Sequence, residues 1–515
     1  MDARFKRYPD YEIKKEDKIP AHSYLYGHRT KETQNAYEYM LEFLQVVLAK
    51  KEIGTRVGID EYFPKFDEAE RISMRYMPRT AIGLKRFVFF ERSKFEGKVE
   101  ADMLAYEACV QRIEERIKAD TKGERESCVR LIQGLLYGFN ASEYGRIWFN
   151  KNLLPVCEKF VLPESIGASS RRKEIKPDNE DDDLFKDSRL DGLFEYTKYT
   201  NMCRGGELYY LHLLQGINSC GNEESREIIS SGIKKMLGSC PQIESLAEFI
   251  DKEWRAVINK DTENRPSKRL AFIPASAAKC SQYTVSELVN FFRSALVPLE
   301  KEEIFSVGII LQLLRMMYIQ TGEITGKKCV WIPDINNGEN PEMKKLAIEA
   351  YADNEQSIIA SLYAGYEYCK GKYERIMDKE LDEKKFIKEG KAATVSAFRK
   401  IAKQIGIVIP VTGAGMRFSL SEQAIKFLVT SIAEPKHKLT LDKFVESLYK
   451  RYSIIIGAKE YKEAMSKGYV KSLSDTSFLE KNKENFARKL KECGFLRDLS
   501  DATAIVENPY SEESL

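Results

Sequence analysis

Helical periodicity of apolar residues runs through most of this 515-residue chain, and it limits the folds that the chain can adopt. Residues 31–51, for example, place Met40 and Leu44 on one face, because side chains four positions apart lie above one another on a helix. Residues 303–319 and 342–377 follow the same period. The pattern predicts a mainly α protein.

Strand candidates are few, short and far apart in the sequence. They are Leu270–Ile273, Val330–Ile332 and Ile407–Ile409. Isolated strands of this length favour small ribbons over a large sheet. The fold class predicted is therefore a mainly α, multi-domain helical protein with short β-ribbons.

One helix start is predicted at Thr284. Thr284 and Glu287 have the spacing of a capping box, in which each side chain accepts a hydrogen bond from the other residue's backbone amide. Tyr283 and Leu288 flank the cap at the positions of a hydrophobic staple. We therefore expect this helix to begin at Thr284.

The length of the chain predicts two to four domains. We expect an N-terminal helical domain over residues 1–170 and a central helical domain over 193–410, followed by a separate domain over 411–515. Residues 171–192 read as a charged linker or insertion, since 171–191 contain eight acidic and six basic residues. An acidic arm that mimics nucleic acid is the alternative, which the near balance of charges disfavours.

Several features predict a cytoplasmic protein without a membrane segment. Ten cysteines are scattered with no CxxC pair, which is typical of reduced thiols. The N-terminus is polar and charged, unlike a secretory signal. The most apolar stretch, Ser306 to Ile319, is short and is interrupted by Gln312 and Arg315.

The last hundred residues show a distinct order of predicted elements. A first helix follows a capping box at Ser419 and Glu422, and a second follows Thr440. A third helix is predicted from Asn482 to Cys493, and Gly494 suits its left-handed cap. Two short apolar segments around a Ser-Asp turn then predict a hairpin.

This order over about residues 417–507 resembles the winged-helix superfamily, which binds DNA or docks proteins. The resemblance implies that the third helix enters the major groove, where Lys483, Arg488 and Lys491 would contact DNA. Residues 412–515 carry 17 basic and 15 acidic side chains, however, and acidic residues of the hairpin would face phosphate. DNA binding and protein docking therefore both remain open.

A second candidate for nucleic-acid contact is the most basic stretch, residues 71–98. It has eight Lys or Arg against two Glu, with aromatic residues between them. Cations beside aromatic faces can hold a nucleic-acid strand, and the basic residues chosen are Arg79, Lys85, Arg86 and Arg92. The alternative is a buried aromatic helix whose basic side chains extend to solvent.

A weaker candidate site begins at Arg204, Gly205 and Gly206, ahead of an expected helix. Backbone amides at a helix N-terminus can bind an anion, to which Arg204 would add charge. Two glycines are equally typical of a tight turn with close helix packing, which we favour. His212 lies on an apolar face and is expected to be a core histidine.

The sequence offers little that predicts catalysis. It has no P-loop, and its four histidines form no metal-binding pair, so we expect no cofactor and no metal site. Asp334, followed by Glu342 and Lys344, imitates a nuclease metal site. The second part of this pattern reads as a helix that starts at a proline, which disfavours convergence of the carboxylates.

The predicted function is a non-catalytic subunit that binds DNA or assembles partners in a multi-protein nucleic-acid-handling system. Bacterial anti-phage defence is one setting for such a subunit. The alternatives are a divergent metal-dependent nuclease around Asp334 and a pure protein–protein scaffold. Protein partners are expected, DNA or another nucleic acid is a further candidate partner, and no membrane contact is expected.

Overall fold

The structure, a computed structural model, describes most of the chain. The described residues are 2–10, 13–15, 19–27, 34–65, 74–79, 82–92, 100–142, 147–161, 205–258, 267–270, 272–500 and 503–510.

Helices dominate the described residues, which confirms the predicted class. The helices are α1 (Ser23–Tyr26), α2 (Ala36–Leu48), α3 (Ile82–Phe89), α4 (Glu100–Arg116), α5 (Lys122–Tyr137), α6 (Gly205–Cys220), α7 (Glu223–Leu237), α8 (Pro241–Ile258), α9 (Ala278–Arg293), α10 (Pro298–Thr325), α11 (Pro341–Met377), α12 (Glu383–Lys391), α13 (Ala397–Gln404), α14 (Glu422–Ile432), α15 (Leu441–Tyr452), α16 (Ala458–Ser466) and α17 (Ser477–Glu492). A π-helical turn, Ala392–Ser396, joins α12 to α13.

In the described part of the chain, short strands form four small antiparallel sheets, which confirms the predicted ribbons, although Val330–Ile332 contributes only an isolated bridge from Trp331 to Ile454. The strands are β1 (Arg7–Tyr8), β2 (Lys51–Ile53), β3 (Arg56–Ile59), β4 (Met74–Tyr76), β5 (Lys268–Arg269), β6 (Ile273–Pro274), β7 (Val408–Ile409), β8 (Arg417–Phe418), β9 (Lys438–Thr440), β10 (Leu496–Ser500) and β11 (Thr503–Glu507). Their orders are β1-β6, β3-β2-β4-β5, β7-β8 and β10-β11-β9.

The larger hydrophobic core, here the first core, is built around α10. This helix contacts α2, α11 and α14. Rings from α9, α10 and α14 meet inside it: the Phe291 centroid lies 5.8 Å from those of both Phe305 and Phe427. Gly308 allows this approach, since an added Cβ would lie 2.1 Å from the Phe427 ring. The first core therefore joins central helices to the C-terminal part of the chain.

A separate hydrophobic cluster, here the second core, lies among α3, α4, α5 and α8. It includes Trp148 and Trp254, which are both nearly inaccessible to solvent. Residues from 82 to 160 thus share a core with α8, across the boundary predicted at 170, just as the first core crosses the boundary predicted at 410. The predicted linker, 171–192, lies outside the described residues.

Helix α10 is the one described helix that is long and apolar enough to cross a membrane, by length and composition alone. It runs for 28 residues, well beyond the stretch that the sequence marks as most apolar. Of its most apolar window, 94% is buried inside the protein. The helix therefore serves as the centre of the first core.

Two predicted capping boxes are wrong: tertiary contacts use the Thr284 and Glu287 side chains, and a neighbouring serine provides the cap predicted for Ser419. Helix α9 begins at Ala278, so Thr284 and Glu287 lie in its interior. Helix α14 is capped by Ser421, whose side chain accepts a hydrogen bond from the Ala424 amide, and Ser419 lies outside the cap. The Thr440 cap of α15 is confirmed by its bond from the Lys443 amide.

The C-terminal module, residues 422–507, contains α14, β9, α15, α16, α17 and the β10–β11 hairpin in that order. Strand β11 pairs with both β10 and β9, which brings the hairpin beside the start of α15. Gly494 has the left-handed φ of +79° that the predicted cap after the third helix requires. The helix predicted as the third is α17, which is the fourth because α16 was not predicted, and it begins at Ser477, more than one turn before the predicted start.

Candidate nucleic-acid interfaces

The basic residues predicted on α3 are inside the protein. All eight residues of this helix are buried, because α4, α5, α8 and the segment around Trp148 surround it. Lys85 has no exposed surface, and its ammonium donates a hydrogen bond to the Phe149 carbonyl oxygen at 3.0 Å. This bond provides part of the polar contact that a buried ammonium requires.

Arg86 is equally buried and lies between two indole rings. Its guanidinium carbon is 4.9 Å from the Trp148 ring centroid and 4.4 Å from that of Trp254. Such contacts stabilise a cation that has lost its hydration. Lys85 and Arg86 cannot reach a phosphate in this conformation, so the surface patch predicted from them is not formed. The alternative of a buried aromatic helix fits, although these two side chains do not extend to solvent.

The other two of the four residues chosen from this stretch, Arg79 and Arg92, are exposed. Arg79 forms an ion pair with Glu158 at 2.9 Å, and the Arg92 guanidinium lies 4.3 Å from the Tyr137 ring centroid. Both could exchange these partners for a phosphate. Lys85 and Arg86 could not join them in one binding surface, because both are buried in the second core. The structure therefore divides the predicted patch into two buried and two surface cations.

The predicted anion site at the start of α6 is occupied by the protein's own carboxylate. The Gly206 amide donates a hydrogen bond to Glu42 Oε2 at 2.9 Å. A Cβ on Gly206 would lie 2.3 Å from backbone atoms of α2, so the glycine permits close helix packing. This matches the packing alternative that the sequence favoured. Gly205 packs against Tyr39 in the same way, and Arg204 lies outside the described residues.

Burial dominates the chemistry of the Glu42 carboxyl. It raises the pKa of Glu42 well above the usual range, although the Gly206 amide acts in the opposite direction. The Gln34 amide donates a second hydrogen bond to it at 2.7 Å. The group therefore acts as a hydrogen-bonding bridge between α2 and α6.

One side of α17, the last helix of the C-terminal module, is held against the rest of the protein. Phe486 and Leu490 enter the first core. The buried Asn482 amide donates to the carbonyl oxygens of Pro333 and Ile456 at 3.2 and 3.0 Å, and its own oxygen accepts from the Ile335 amide at 3.1 Å. These bonds satisfy the side chain and fix the helix orientation.

The three cations predicted on α17 differ in their surroundings. Lys483 is partly buried and forms an ion pair with Asp442 at 2.6 Å. Arg488 is exposed and donates to Asn485 at 2.7 Å, and Lys491 is exposed one turn later. Residues three apart lie on one helix face. Arg488 and Lys491 therefore form the outward cationic face of α17.

The nuclease pattern does not assemble around Asp334. This carboxylate is 1% exposed, and its Oδ2 lies 2.7 Å from Arg417 Nε. Glu342 is exposed in the first turn of α11. Among the residues that the structure describes, no three His, Cys, Asp or Glu side chains are grouped as a metal site would require. The Asp334–Arg417 pair instead connects the segment before α11 to β8.

A buried ion-pair network, missed by sequence reasoning, surrounds Glu287 of α9. Its carboxylate accepts two hydrogen bonds from Arg315 of α10, both at 3.0 Å. The Tyr452 hydroxyl of α15 donates to Glu287 at 2.8 Å, and the Gln312 amide does so at the same distance. Gln312 and Arg315, the two polar interruptions in an apolar stretch, were the sequence signal that could have indicated this network.

The network extends to His212 of α6, as predicted a core histidine. Its Nε2 lies 2.7 Å from the Thr284 hydroxyl, which also accepts a hydrogen bond from Arg315 at 2.7 Å. Burial, together with the charge of Arg315, lowers the pKa of His212 to about 3. His212 is therefore neutral at physiological pH, and the network connects α6, α9, α10 and the C-terminal module.

Comparison with known proteins adds information on the C-terminal module alone. Residues 422–510 match the model of a family described as methylation-associated defense system protein MAD7. No curated protein and no solved structure matches the chain. The match covers α14 to β11 and includes the outward cationic face of α17.

Proposed function

We propose that this protein is a non-catalytic subunit of a methylation-associated defence system against phage. In this proposal, the outward cationic face of α17 contacts DNA, and the central helices hold the C-terminal module in place. The observation that carries the proposal is the match of residues 422–510 to a defence-system family. The matched region contains both Arg488 and Lys491, the two residues of the proposed contact surface.

The order of elements in the C-terminal module supports a winged-helix arrangement. A helix, a strand and a helix are followed by the short additional helix α16, then by α17 and the hairpin, with β9 pairing to β11. In winged-helix proteins that bind DNA, the helix before the hairpin enters the major groove. Arg488 and Lys491 lie on the side of α17 opposite to Phe486 and Leu490, where a groove could be reached.

The scaffold alternative has its own support. Lys483 is paired with Asp442, and the exposed Lys481 is paired with Glu484 at 2.7 Å, so several charges of α17 are already compensated. A nearly neutral surface supplies little phosphate neutralisation. A protein partner on the same face would then replace DNA.

The test is a titration of duplex DNA against the full chain at two salt concentrations. We expect the charge-reversal variant Arg488→Glu/Lys491→Glu to bind about tenfold or more weakly at low salt. The slope of log affinity against log salt should decrease in magnitude by about 2, because each lost phosphate contact removes about 0.9.

The matched control is Lys443→Glu/Lys462→Glu, which makes the same charge change at exposed positions of α15 and α16. It should bind within about twofold of the original protein, since long-range charge effects between exposed groups are screened. Equal weakening in both variants would point to a non-specific charge effect. If the original chain shows no salt-dependent binding of duplex DNA, DNA contact is excluded and the scaffold function becomes the better account.

A further inference from the structure

A cavity of about 400 Å³ lies where α9, α10 and the end of α15 meet. Its volume is within the range of small-molecule sites. It opens at the side of the buried ion-pair network, since Arg315 and Tyr452 belong to both. The cavity is therefore backed by the Arg315–Glu287–Tyr452 hydrogen bonds of this network.

Positive charge dominates the lining of this cavity. The cations are Lys279, Arg315, Lys328, Lys450 and Arg451, and the single carboxylate is Glu323. Lys279 is paired with Glu323, and Lys450 is paired with Glu446 outside the cavity. With Glu287 and Glu446 included, five positive charges face three negative ones, so the cavity carries an excess of two.

Arg451 supplies part of this excess. Its guanidinium lies 3.6 Å from Glu287 Oε1, but that carboxylate already accepts two hydrogen bonds from Arg315. One carboxylate thus serves two arginines. Arg451 also lies 5.3 Å from the ring centroid of Tyr283, a side chain that is 40% exposed at the cavity mouth.

Lys328 supplies the remaining part of the cavity's excess positive charge. Its ammonium lies 5.4 Å from the Tyr449 ring centroid and 5.1 Å from that of Tyr469, and no carboxylate of the described residues lies within ion-pair distance. Burial, with repulsion from Lys467, lowers the pKa of Lys328, and attraction by Glu463 acts in the opposite direction. Favourable interaction with a helix C-terminus explains Lys450 and Arg451 in the last turn of α15. It does not explain Lys328, which lies between two rings.

The excess charge and the aromatic walls define a class of ligand. A phosphate monoester carries about −1.5 to −2 at neutral pH, which matches the uncompensated charge. Tyr283, which is exposed, and Tyr469, which is partly exposed, add rings against which a base can stack. We infer that this cavity binds a nucleotide, with the phosphate at Lys328 and Arg451 and the base against the tyrosines.

Two sources could supply this chemistry: a free nucleotide and the phosphorylated 5′ end of a DNA strand. Neither involves the outward cationic face of α17, so the inference does not rest on the proposed function. Duplex binding by α17 and nucleotide binding by the cavity can each fail while the other holds.

The experiment is calorimetric titration of the full chain with dAMP, deoxyadenosine and inorganic phosphate. A second arm compares a short single strand with a 5′ phosphate and the same strand with a 5′ hydroxyl. We expect dAMP to bind more tightly than deoxyadenosine or phosphate alone, because both parts of the ligand are recognised. Preference for the phosphorylated strand over dAMP would identify a DNA end as the source.

Two variants locate the site. Lys328→Met and Arg451→Gln keep most of each side chain and should each weaken binding of the phosphate-bearing probe by about tenfold or more. Lys327→Met is the matched control, since Lys327 is exposed next to Lys328, is paired with Asp353 at 3.3 Å and lies outside the cavity lining. It should bind within about twofold of the original chain.

Three results would overturn the inference. One is the absence of binding by dAMP and by the phosphorylated strand up to about 1 mM, the upper end of ordinary metabolite affinities. Another is equal weakening by Lys327→Met and Lys328→Met. The third is binding of dAMP no tighter than that of phosphate, which would remove the base from the site. Thermal unfolding of each variant verifies that it is folded.

Discussion

Helices α3 and α17 carry similar basic residues and use them in opposite ways. On α3, Lys85 and Arg86 are fully buried, one on a carbonyl oxygen and the other between two indole rings. On α17, Arg488 and Lys491 are exposed on the face opposite the first core. Basic residues in a helix therefore indicate a nucleic-acid surface only when the helix has a free face.

The difference arises from the number of neighbours around each helix. Helix α3 is surrounded on all sides by elements of the second core. Helix α17 packs through a stripe that contains Asn482, Phe486 and Leu490, and leaves the other side to solvent. Charge on α3 should therefore affect stability, whereas charge on α17 should affect binding.

The largest effect is expected from Arg86→Ala. The substitution leaves a cavity between Trp148 and Trp254 and removes both cation–π contacts, so the free energy of unfolding should fall by about 3–5 kcal/mol. Denaturant unfolding monitored by tryptophan fluorescence would measure it. Arg79→Ala, at an exposed position, is the control, and the comparison fails if both variants lose the same stability.

A smaller loss is expected from Gly83→Ala on the same helix. An added Cβ would lie 2.1 Å from the Trp254 ring, so overpacking should cost about 1–3 kcal/mol. Gly123→Ala on α5 is the matched control, since its Cβ would meet nothing within 4 Å. Helix propensity should make that control more stable by up to about 1 kcal/mol. If thermal unfolding shows that Gly83→Ala lowers stability and Gly123→Ala raises it, complete enclosure of α3 is supported. A change in the same direction for both variants would contradict it.

Lys85→Met should cost about 1–2 kcal/mol. The methionine keeps the apolar stem but leaves the Phe149 carbonyl oxygen without this donor. Chemical denaturation at neutral pH would measure the change, with Lys118→Met at an exposed position of the same region as the control. A variant as stable as the control would show that the ammonium contributes nothing to the second core.

The smallest effect on stability is expected on α17. Arg488→Ala and Lys491→Ala should each change the free energy of unfolding by no more than about 0.5 kcal/mol, as is usual for exposed side chains. Equilibrium denaturation would test this. A loss well above 1 kcal/mol would mean that this face supports the fold, and the contrast between the two helices would then disappear.

The helical class and most element positions follow from local patterns. The apolar period places α2 inside its predicted range and α11 to within one residue of its own, and Thr440 caps α15 as expected. Predictions fail where a side chain has a distant partner. Thr284 and Glu287 have capping-box spacing, yet they contact Arg315 across the first core. Spacing alone cannot distinguish side chains that cap a helix from side chains that bond to a distant residue in the core.

The candidate sites depended even more on distant contacts. Gly206 lies at a helix N-terminus as predicted, but Glu42, 164 positions earlier, occupies its amide. Asp334 resembles a metal ligand until Arg417 is found beside it. The cavity at Lys328 gathers cations from α9, α10, α15 and the segment after α10. No local pattern brings these positions together.

The sequence by itself determined that this protein is mainly helical, with an ordered series of helices and a hairpin at its C-terminus, because those properties depend on spacing within a few turns of chain. Only the tertiary structure decided which charges are buried and which are exposed. Periodicity identifies the first apolar face of a helix, but the number of neighbours that enclose the remaining faces depends on the whole fold. That number is why Arg86 is a core residue and Arg488 a surface residue.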